Sequence, residues 1–371
     1  MKIPQICLML ALVVSAGCQR SNGPQTPSTS DGSRDSAVTV ARAEPADLVD
    51  MRLQVRRGDR FPLIKTVEQQ VSQQTGTNTA SAVTWLQLSL ILTIEDTLDE
   101  SVVLNVRYSR VQYAHDVDGR RTEYDSATPA GRIPYDAVPF AGLVGNGYAV
   151  QIGRDHTVEK LIGHDEFLRR CMAGVSVERR PALINEVAVR FGDEGVAGFV
   201  PDTVGLLPFD EDAKPELACR VQKGDSWNYS RRLMQPVPVH LNSTCRVVRV
   251  TPKSTEIDIA GRVIPGQTYG SDKSEDNGSV QIMGGTSFGK CIVDRATGLP
   301  MDVERQELLN VQVVAPNGTR VFQEKRITTT VRLFPEERGP MVKTPPTGAG
   351  IVPVSTENPD PHVHTIPARE I

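Results

Sequence analysis

Gly224-Asp225-Ser226 is the first segment whose residue types and spacing could support catalysis. One class of ester hydrolase places its nucleophilic serine in such a motif, on a turn between a strand and a helix, and activates it with a histidine. After Ser226, however, Trp227-Asn228-Tyr229-Ser230 continues as a strand, and the latest histidines, His362 and His364, lie in a proline-rich tail. We therefore predict a structural turn at Ser226 and keep a hydrolase as the less favoured alternative.

Other catalytic and metal-binding signatures are missing from the sequence. It has no Gly-x-Ser-x-Gly and no His-Glu-x-x-His motif, which mark serine hydrolases and zinc proteases. The acidic run Asp210-Glu211-Asp212 does not have the alternating spacing of a calcium-binding loop. The glycine-rich segment from Gly142 to Gly147 has neither the lysine nor the following helix that would cradle a phosphate. We predict no catalytic residue, no metal site and no cofactor.

Four cysteines in the body of the chain are candidates for covalent chemistry: Cys171, Cys219, Cys245 and Cys291. An even number of cysteines in an exported domain is typical of disulfides, and four cysteines allow three pairings. We favour Cys171 with Cys219, because both border a helical segment, and Cys245 with Cys291 in the C-terminal half. The Cys-x-x-Cys spacing of thiol oxidoreductases is absent.

Cys18 ends a leader that is typical of exported proteins. Lys2 is followed by an apolar run from Ile6 to Val14, and small residues then precede the cysteine. The run is shorter than the roughly 20 residues that span a bilayer, and its charged start and small-residue exit indicate a secretory signal. The leader resembles a bacterial lipoprotein signal peptide, which implies that lipid is attached to Cys18. The alternative is an ordinary signal peptide that is cleaved after Ala16 or Gly17.

Lipid on Cys18 would make a bacterial membrane the first partner of this protein. One acyl chain holds a protein weakly, so a stable anchor needs two or more chains. Gln19 stands where some lipoproteins carry the aspartate that retains them at the inner membrane. We therefore expect the outer membrane, with the domain in the periplasm or at the cell surface. The net charge of −4 gives no reason to expect a nucleic-acid partner.

Composition divides the 371 residues into four parts. The segment after the leader is rich in Ser, Thr, Pro, Gly and Asp, which is typical of a flexible linker, and repeated prolines break regular structure near the C-terminus. The predicted parts are a signal peptide at 1–17, a linker at 18–50, a β-rich domain at 51–335 and a disordered tail at 336–371. Within the domain we separate a first β unit at 51–160, a helical insert at 161–215 and a second β unit at 216–335.

Apolar residues alternate with polar ones through most of the domain, which is typical of half-buried strands. Turn signals such as Asp118-Gly119 and Asn317-Gly318 separate these strands. We predict a mainly β fold of antiparallel meander sheets, curved into a half-barrel or packed as a sandwich, with a small helical insert. The predicted strands are 84–94, 101–113, 244–250, 255–264, 279–294, 301–314 and 321–334, and the predicted helices are 164–174 and 181–191.

A short motif occurs twice in the domain. Arg57-Gly58-Asp59-Arg60-Phe61 recurs as Lys223-Gly224-Asp225-Ser226-Trp227. Each copy leads into a strand, and a hairpin follows, at 92–106 after the first copy and at 247–259 after the second. This shared order indicates two copies of one β unit on either side of the helical insert. The alternative is that unrelated meanders share the same turn chemistry.

The order of several short segments also points to a family. The two Gly-Asp motifs, Tyr124-Asp125-Ser126, Gly147-Tyr148-Ala149-Val150 and the closing strand at 326–331 spread over about residues 51–335. In this order they resemble DUF6263, a family of planctomycete-type envelope proteins of unknown function. The resemblance implies a secreted or lipid-anchored β-rich domain. It implies no catalytic residue, because none is known for the family.

We expect a non-enzymatic, lipid-anchored binding protein, in one of two versions. In the first, the concave face of a curved sheet, aided by the helices, holds an apolar ligand such as an acyl chain. In the second, the sheet packs on itself, and its surface contacts an envelope protein or supports envelope structure. A large apolar cavity would favour the first version, and a closed core would favour the second.

Overall fold

The computed structural model describes residues 48–75, 78–128, 133–180, 199–233, 239–265, 268–269, 279–315 and 318–333. The predicted leader with Cys18, almost all of the linker, the tail and the helix predicted at 181–191 lie outside these residues. None of the described helices combines the length and the apolar character that a membrane span requires.

Strands dominate the structure because polar and apolar residues alternate along most of the domain. In β10 (Val239–Val250) the side chains of Leu241 and Cys245 are buried, whereas the intervening Asn242 and Thr244 are exposed. This period of two places one face of each strand against the core. The other strands are β1 Val49–Asp50, β2 Arg60–Thr75, β3 Asn78–Thr97, β4 Ser101–Val117, β5 Arg120–Asp125, β6 Gly147–Gly153, β7 Val158–Ile162, β8 Arg220–Val221, β9 Ser226–Leu233, β11 Ser254–Val263, β12 Thr268–Tyr269, β13 Ser279–Asp294, β14 Pro300–Val314 and β15 Arg320–Leu333.

Two short α-helices lie between the strands in the described part of the chain. The second helix buries Phe167 and Cys171, and it has acidic residues in its first turn and arginines in its last, which suits the helix dipole. The helix predicted at 164–174 is therefore confirmed, although it ends three residues earlier. The helices are α1 Val138–Ala141 and α2 His164–Cys171, and the 3-10 turns are Tyr135–Ala137, Val177–Arg179, Val200–Asp202 and Val204–Leu206.

Eleven strands form one antiparallel path in the order β7-β6-β4-β3-β2-β15-β14-β13-β11-β10-β9. Beside this path β5 pairs with β4 and β12 with β13, whereas β1 and β8 form a separate two-stranded sheet. Most neighbours are consecutive strands, as in a meander, but the last strand, β15, pairs with β2. This pairing joins the two halves of the domain into a single large sheet that is not closed. The predicted mainly β, antiparallel meander fold is confirmed.

The two Gly-Asp turns make the same backbone hydrogen bonds. Gly58 and Gly224 have φ values of 90° and 97°, a conformation that costs glycine little and other residues more. The N–H of Gly58 donates to the carbonyl of Ile94, and the N–H of Gly224 donates to the carbonyl of Val247, both over 2.8 Å. In each turn the carbonyl of the following aspartate accepts the returning N–H at 2.9 Å.

The hairpins that follow the two turns also match. The β3–β4 hairpin closes with a bond from the Leu98 N–H to the Ser101 carbonyl, and the β10–β11 hairpin closes with one from Thr251 to Ser254, both over 2.8 Å. In β3 and in β10 a β-bulge follows the residue that accepts the hydrogen bond of the glycine. A further register shift occurs in both β6–β7 and β13–β14. These shared hydrogen bonds and register shifts are those that the predicted repeat of two β units would require.

The buried face of the eleven-stranded path, which we call the inner face, packs against the segment at 199–207. One large apolar cluster includes strand residues from both β units together with Phe199, Val204 and Leu206 of this segment. A smaller apolar cluster lies further along the second β unit and consists of Val239, Leu241, Val263, Val280, Ile282, Leu309 and Val311. Residues 199–207 therefore form part of the core that the inner face builds, and we call them the capping segment.

Candidate functional site

Ser226 does not lie in the surroundings of a catalytic nucleophile. It is exposed at the start of β9, and a strand follows it, not a helix. Ser226 faces Arg246 of the neighbouring strand, β10. His240 is on the same strand, but it faces Arg232 of β9, which is six residues from Ser226. At about 3.4 Å per residue this offset is roughly 20 Å. His240 is therefore too far away to act as the base for Ser226.

All four cysteines of the domain are buried free thiols. β11 lies between β10, which carries Cys245, and β13, which carries Cys291. Two strand spacings are about 9.6 Å, more than the roughly 7 Å between Cα atoms that a disulfide can bridge. The predicted Cys245–Cys291 pair is therefore not formed.

The predicted Cys171–Cys219 pair is not formed either. The Sγ of Cys219 lies 3.9 Å from the carbonyl oxygen of Arg154 and donates to it. Burial raises the pKa of Cys171 to about 12 and that of Cys219 to about 11. A thiol with so high a pKa is protonated at neutral pH and is a poor nucleophile.

Six charged side chains lie close together on the inner face. Asp202 comes from the capping segment, at the end of the 3-10 turn Val200–Asp202, and the other five come from strands. Five of the six residues are at most 5% exposed, and the side chain of Arg231 is 11% exposed. We call this set the ionic cluster, and its members are Lys65 of β2, Asp202, Arg231 of β9, Arg305 and Glu307 of β14, and Lys325 of β15.

Three cations surround the carboxylate of Asp202. The Nζ of Lys65 donates to Oδ2 over 2.6 Å, and the Nη1 of Arg231 donates to Oδ1 over 2.5 Å. Arg305 donates to the same Oδ1 through Nη2. One carboxylate from the capping segment thus connects β2 of the first β unit with β9 and β14 of the second.

Glu307 is the second carboxylate of the cluster and is less well satisfied. Its Oε1 lies 3.0 Å from the Nε of Arg305 and 3.7 Å from the Nη1 of Arg231. Neither oxygen of Glu307 has a hydrogen bond, and neither do the Nε and Nη1 of Arg305. The two ion pairs are therefore close in distance but lack hydrogen-bond geometry. A buried polar group without a partner costs about 1–3 kcal/mol. The cluster therefore holds hydrogen-bonding capacity that the described protein does not use.

The cluster changes the ionisation of its members in opposite directions. Burial alone would raise the pKa of Asp202, but Lys65 and Arg231 outweigh it and hold this pKa below its usual value. Burial lowers the pKa of Lys65, and Asp202 offsets only part of this effect. Burial raises the pKa of Glu307 although Arg231 opposes the shift. Asp202 is thus the firmly ionised acid of the cluster.

The rest of the capping segment is bound to β9 by side-chain hydrogen bonds. The hydroxyl of Tyr229 donates to the carbonyl of Pro201 over 2.7 Å, and the indole N–H of Trp227 donates to the carbonyl of Leu206 over 3.1 Å. Thr203 steadies the turn itself by donating to the carbonyl of Phe199 over 2.7 Å. These bonds and the Asp202 ion pairs hold the capping segment on the inner face.

Sequence reasoning missed the ionic cluster, although one signal was present. Lys65 and Arg231 each follow the glycine of their repeated turn by seven residues, so they occupy matching positions in the two β units. Lys65 also interrupts the apolar phase of β2, in which Leu63 and Val67 are buried. A charged residue in the buried phase of a strand needs a partner. Asp202 gave no such signal, because its turn has no periodic pattern.

Apolar side chains border the ionic cluster on both sides. Arg231 faces Leu241, and Lys325 faces Leu309, both from the smaller apolar cluster. Beside the capping segment, an apolar pocket lined by Val106, Tyr148 and others has a volume of about 10 Å³, which is room for one water. The centre of the described inner face is therefore a charged belt between two packed apolar clusters.

A second buried ionisable group, His156, lies near the capping segment. It is 3% exposed, its Nδ1 has no hydrogen-bond partner, and its φ of 64° is in the left-handed region. Burial lowers its pKa to about 4, and the nearby Asp155 offsets only part of that shift. His156 lies in the turn between β6 and β7, and Gly298, in the turn between β13 and β14, has a similar φ of 71°.

Among the described residues, no three His, Cys, Asp or Glu side chains converge as metal ligands would. The fold and the ionic cluster instead define a class of protein: a large open antiparallel sheet of two matched β units with buried charges under a capping segment. The chain belongs to the family of unknown function DUF6263, whose sequence profile matches residues 99–300, more than half of the chain. The matched region includes Asp202 and Arg231. No curated protein matches the chain.

Three solved structures have low similarity to this chain, and two of them are channels. OccK2 (OpdF) of Pseudomonas aeruginosa, in complex with glucuronate, is 7% identical with a TM-score of 0.18, over 76% of this chain and 100% of that chain. An outer membrane channel from Pseudomonas putida F1 is 8% identical with a TM-score of 0.15, over 79% and 100%. The CymD monoaromatic hydrocarbon channel is 10% identical with a TM-score of 0.13, over 77% and 91%. Similarity at this level carries no argument about fold or function.

Proposed function

We propose that this chain is a lipid-anchored protein of the bacterial envelope and that its β domain is a non-enzymatic binding module. The observation that carries the proposal is the ionic cluster. Six charged side chains are buried on the inner face, and one of them, Asp202, belongs to a segment that is not a strand of the sheet.

The cost of burying these charges favours a role beyond stability. Taking a charge out of water costs several kcal/mol, and replacing a buried ion pair with well-packed apolar residues is often neutral or stabilising. A domain that needed only a stable core would therefore be served by apolar residues at positions such as Lys65 and Arg305. Buried charges with unused hydrogen-bonding atoms, as on Arg305 and Glu307, are typical of binding and functional sites.

A non-enzymatic role fits the chemistry of the described residues. Ser226 is exposed at a strand start, with the nearest strand's His240 far along the sheet. The thiols are buried, and burial raises the pKa of each one. Binding at the ionic cluster requires only that the capping segment exchange its contacts for those of a ligand.

A structural or protein-interaction role is the second candidate, and the closed packing favours it. The sequence led us to expect a large apolar cavity for a carrier, but the apolar pocket beside the capping segment holds about 10 Å³. In this version the ionic cluster fixes the capping segment permanently, and the outer surface of the domain makes the functional contacts.

The membrane anchor rests on the sequence of the leader. The short apolar run, the small residues and Cys18 support lipidation, and the linker at 18–50 would hold the domain away from the bilayer. An outer-membrane location follows from the same reasoning about Gln19.

Native purification tests the proposed binding function. The full chain is extracted from membranes of its own host, and its bound molecules are identified by native mass spectrometry followed by denaturation. We expect one class of small molecule to be present in a fixed ratio to the protein and to be lost in the variant Lys65→Met. A protein that is reproducibly empty would refute the binding function and leave the structural role.

A further inference from the structure

The cationic side chains of the sheet hold the carboxylate of Asp202 with contacts that could equally hold an anionic ligand. It is the only member of the ionic cluster that comes from the capping segment, and Lys65, Arg231 and Arg305 all donate to it. The three cations themselves stand on β2, β9 and β14 of the sheet. The cationic site therefore belongs to the sheet, whereas the anion that fills it belongs to a separate segment.

Arg305 has the means to bind a larger anion than one carboxylate. It is 2% exposed, and its Nη1 has no hydrogen-bond partner. A guanidinium is planar, permanently charged and matched in shape to carboxylate and phosphate groups. Gly289 of β13 lies opposite Arg305, and an added Cβ there would meet first the carbonyl oxygen of Glu304 and then the Cα of Arg305 at 3.0 Å.

The large apolar cluster lies next to the cationic site, on the side of the capping segment. Phe199, Val204 and Leu206 of that segment pack in this cluster and flank Asp202 in the chain. A ligand whose charged head replaces Asp202 and displaces the segment would thus bring an attached alkyl chain to the apolar surface that these side chains leave. Burial of each methylene group on such a surface contributes about 0.8 kcal/mol.

We propose that Lys65, Arg231 and Arg305 form the head-group site for an anionic amphiphile, that is, a carboxylate or phosphate on an alkyl chain. Asp202 fills this site when no ligand is bound, and the ligand displaces it together with the capping segment. The alkyl chain then takes the place of the apolar side chains of the capping segment on the large apolar cluster. This inference rests on the proposed binding function and names the class of ligand.

A chemical rescue experiment tests the head-group site alone. In the full chain, Asp202→Ala removes the carboxylate to which Lys65, Arg231 and Arg305 donate and leaves Glu307 as the remaining acid of the ionic cluster, so the midpoint of thermal unfolding should fall. Acetate should restore it in a concentration-dependent way, more than chloride does at equal ionic strength, and should leave the wild-type protein unchanged. Asp212→Ala, an exposed acid of the insert, is the matched control and should show no rescue. Equal effects of acetate and chloride would overturn the head-group site.

A binding experiment tests the amphiphile. Decanoate and decanol share an alkyl chain and differ in the charge of the head, so calorimetric titration of both against the full chain isolates the head. Asp202→Asn keeps the shape of the side chain but removes its negative charge, so the capping segment binds the three cations less tightly. The form of the protein in which this segment is displaced is then more populated. Decanoate should therefore bind the variant at least about tenfold more tightly than it binds the wild-type protein. Decanol should bind neither protein, and Asp212→Asn should behave as wild type.

A second variant covers the case in which Asp202→Asn does not fold. Tyr229→Phe removes only the hydrogen bond to the carbonyl of Pro201 and leaves every charge in place. Losing one such bond lowers the equilibrium constant for binding of the capping segment to the sheet by about threefold to tenfold. Decanoate should therefore bind this variant more tightly by the same factor. If neither variant changes the affinity for decanoate, the capping segment does not compete with the ligand for the site, and this part of the inference is wrong.

The outcomes separate this inference from the proposed function. Tighter binding of decyl phosphate than of decanoate, or the reverse, would support the site and identify its preferred head group. Equal binding of decanoate and decanol would overturn the cationic head-group site and leave a binding module for apolar ligands. If neither probe binds but the natively purified chain carries another small molecule, the inference fails and the binding function stands. If the natively purified protein carries no small molecule, both the head-group site and the proposed binding function are refuted.

Discussion

Acidification is expected to destabilise the domain through His156. The imidazole is buried, and burial lowers its pKa to about 4 from an ordinary value of 6.5. In the unfolded chain the same ring takes up a proton near pH 6.5. Between these two values the unfolded state therefore binds more protons than the folded state, so stability falls as the pH falls through this window and levels off below it.

The size of the effect follows from the two pKa values. Each pKa unit corresponds to 1.36 kcal/mol, so a difference of 2.5 units gives a full loss of about 3.4 kcal/mol. At pH 4.5, which is still above the folded pKa, the loss is about 2.5 kcal/mol. The carboxylates with lowered pKa values, such as Asp202 and Asp125, lose their stabilising contribution at lower pH, because their ordinary pKa is 3.8.

Urea unfolding of the full chain at several pH values between about 7.5 and 4.5 measures this loss. His156→Asn is the matched variant, because asparagine does not titrate in this range and tolerates the left-handed backbone at this position. The free energy of unfolding of the variant should vary less across the window, by about 2.5 kcal/mol at the acidic end. If wild type and variant lose the same stability between these pH values, His156 is not buried as a neutral ring and the reasoning is wrong.

Three further predictions follow from the turns, the thiols and the leader. Gly58→Ala and Gly224→Ala should each cost about 1–2 kcal/mol in urea unfolding because of their positive φ, whereas Gly174→Ala, with open space around its Cα, should cost less. A thiol reagent should label none of the four domain cysteines in the folded protein and all four in denaturant without reductant, and a smaller number in denaturant would mean that disulfides form. Replacing Cys18 with Ser should release a folded protein from the membrane fraction, and retention of this variant on membranes would contradict lipid anchoring.

Much of the fold follows from local patterns in the sequence. The strand predicted at 279–294 has those bounds in the structure, and the strand predicted at 301–314 begins one residue earlier. Local rules suffice here because alternating residues and glycine turns act over a few neighbours. Strand lengths were less well predicted: β3 begins at Asn78, six residues before the predicted start, because its first residues lack a clear apolar alternation.

Two features of the sheet had no local signal. The pairing of β15 with β2 joins residues more than two hundred positions apart, and nothing in either strand alone specifies the other as its neighbour. The predicted disulfides failed for a related reason. Their choice assumed that cysteines in one half of the chain lie close together, whereas the strand order places β11 between Cys245 and Cys291.

The sequence by itself determined the β class, the repeated Gly-Asp units, the membership in DUF6263 and the candidate lipidation site at Cys18, because each of these is written in neighbouring residues. Only the tertiary structure decided the ionic cluster. Lys65 and Asp202 are 137 positions apart, and Asp202 and Arg305 are 103 apart. A buried charge must be satisfied by whatever the folded chain brings within about 3 Å of it, and that partner is chosen by the packing of the sheet and not by spacing along the chain.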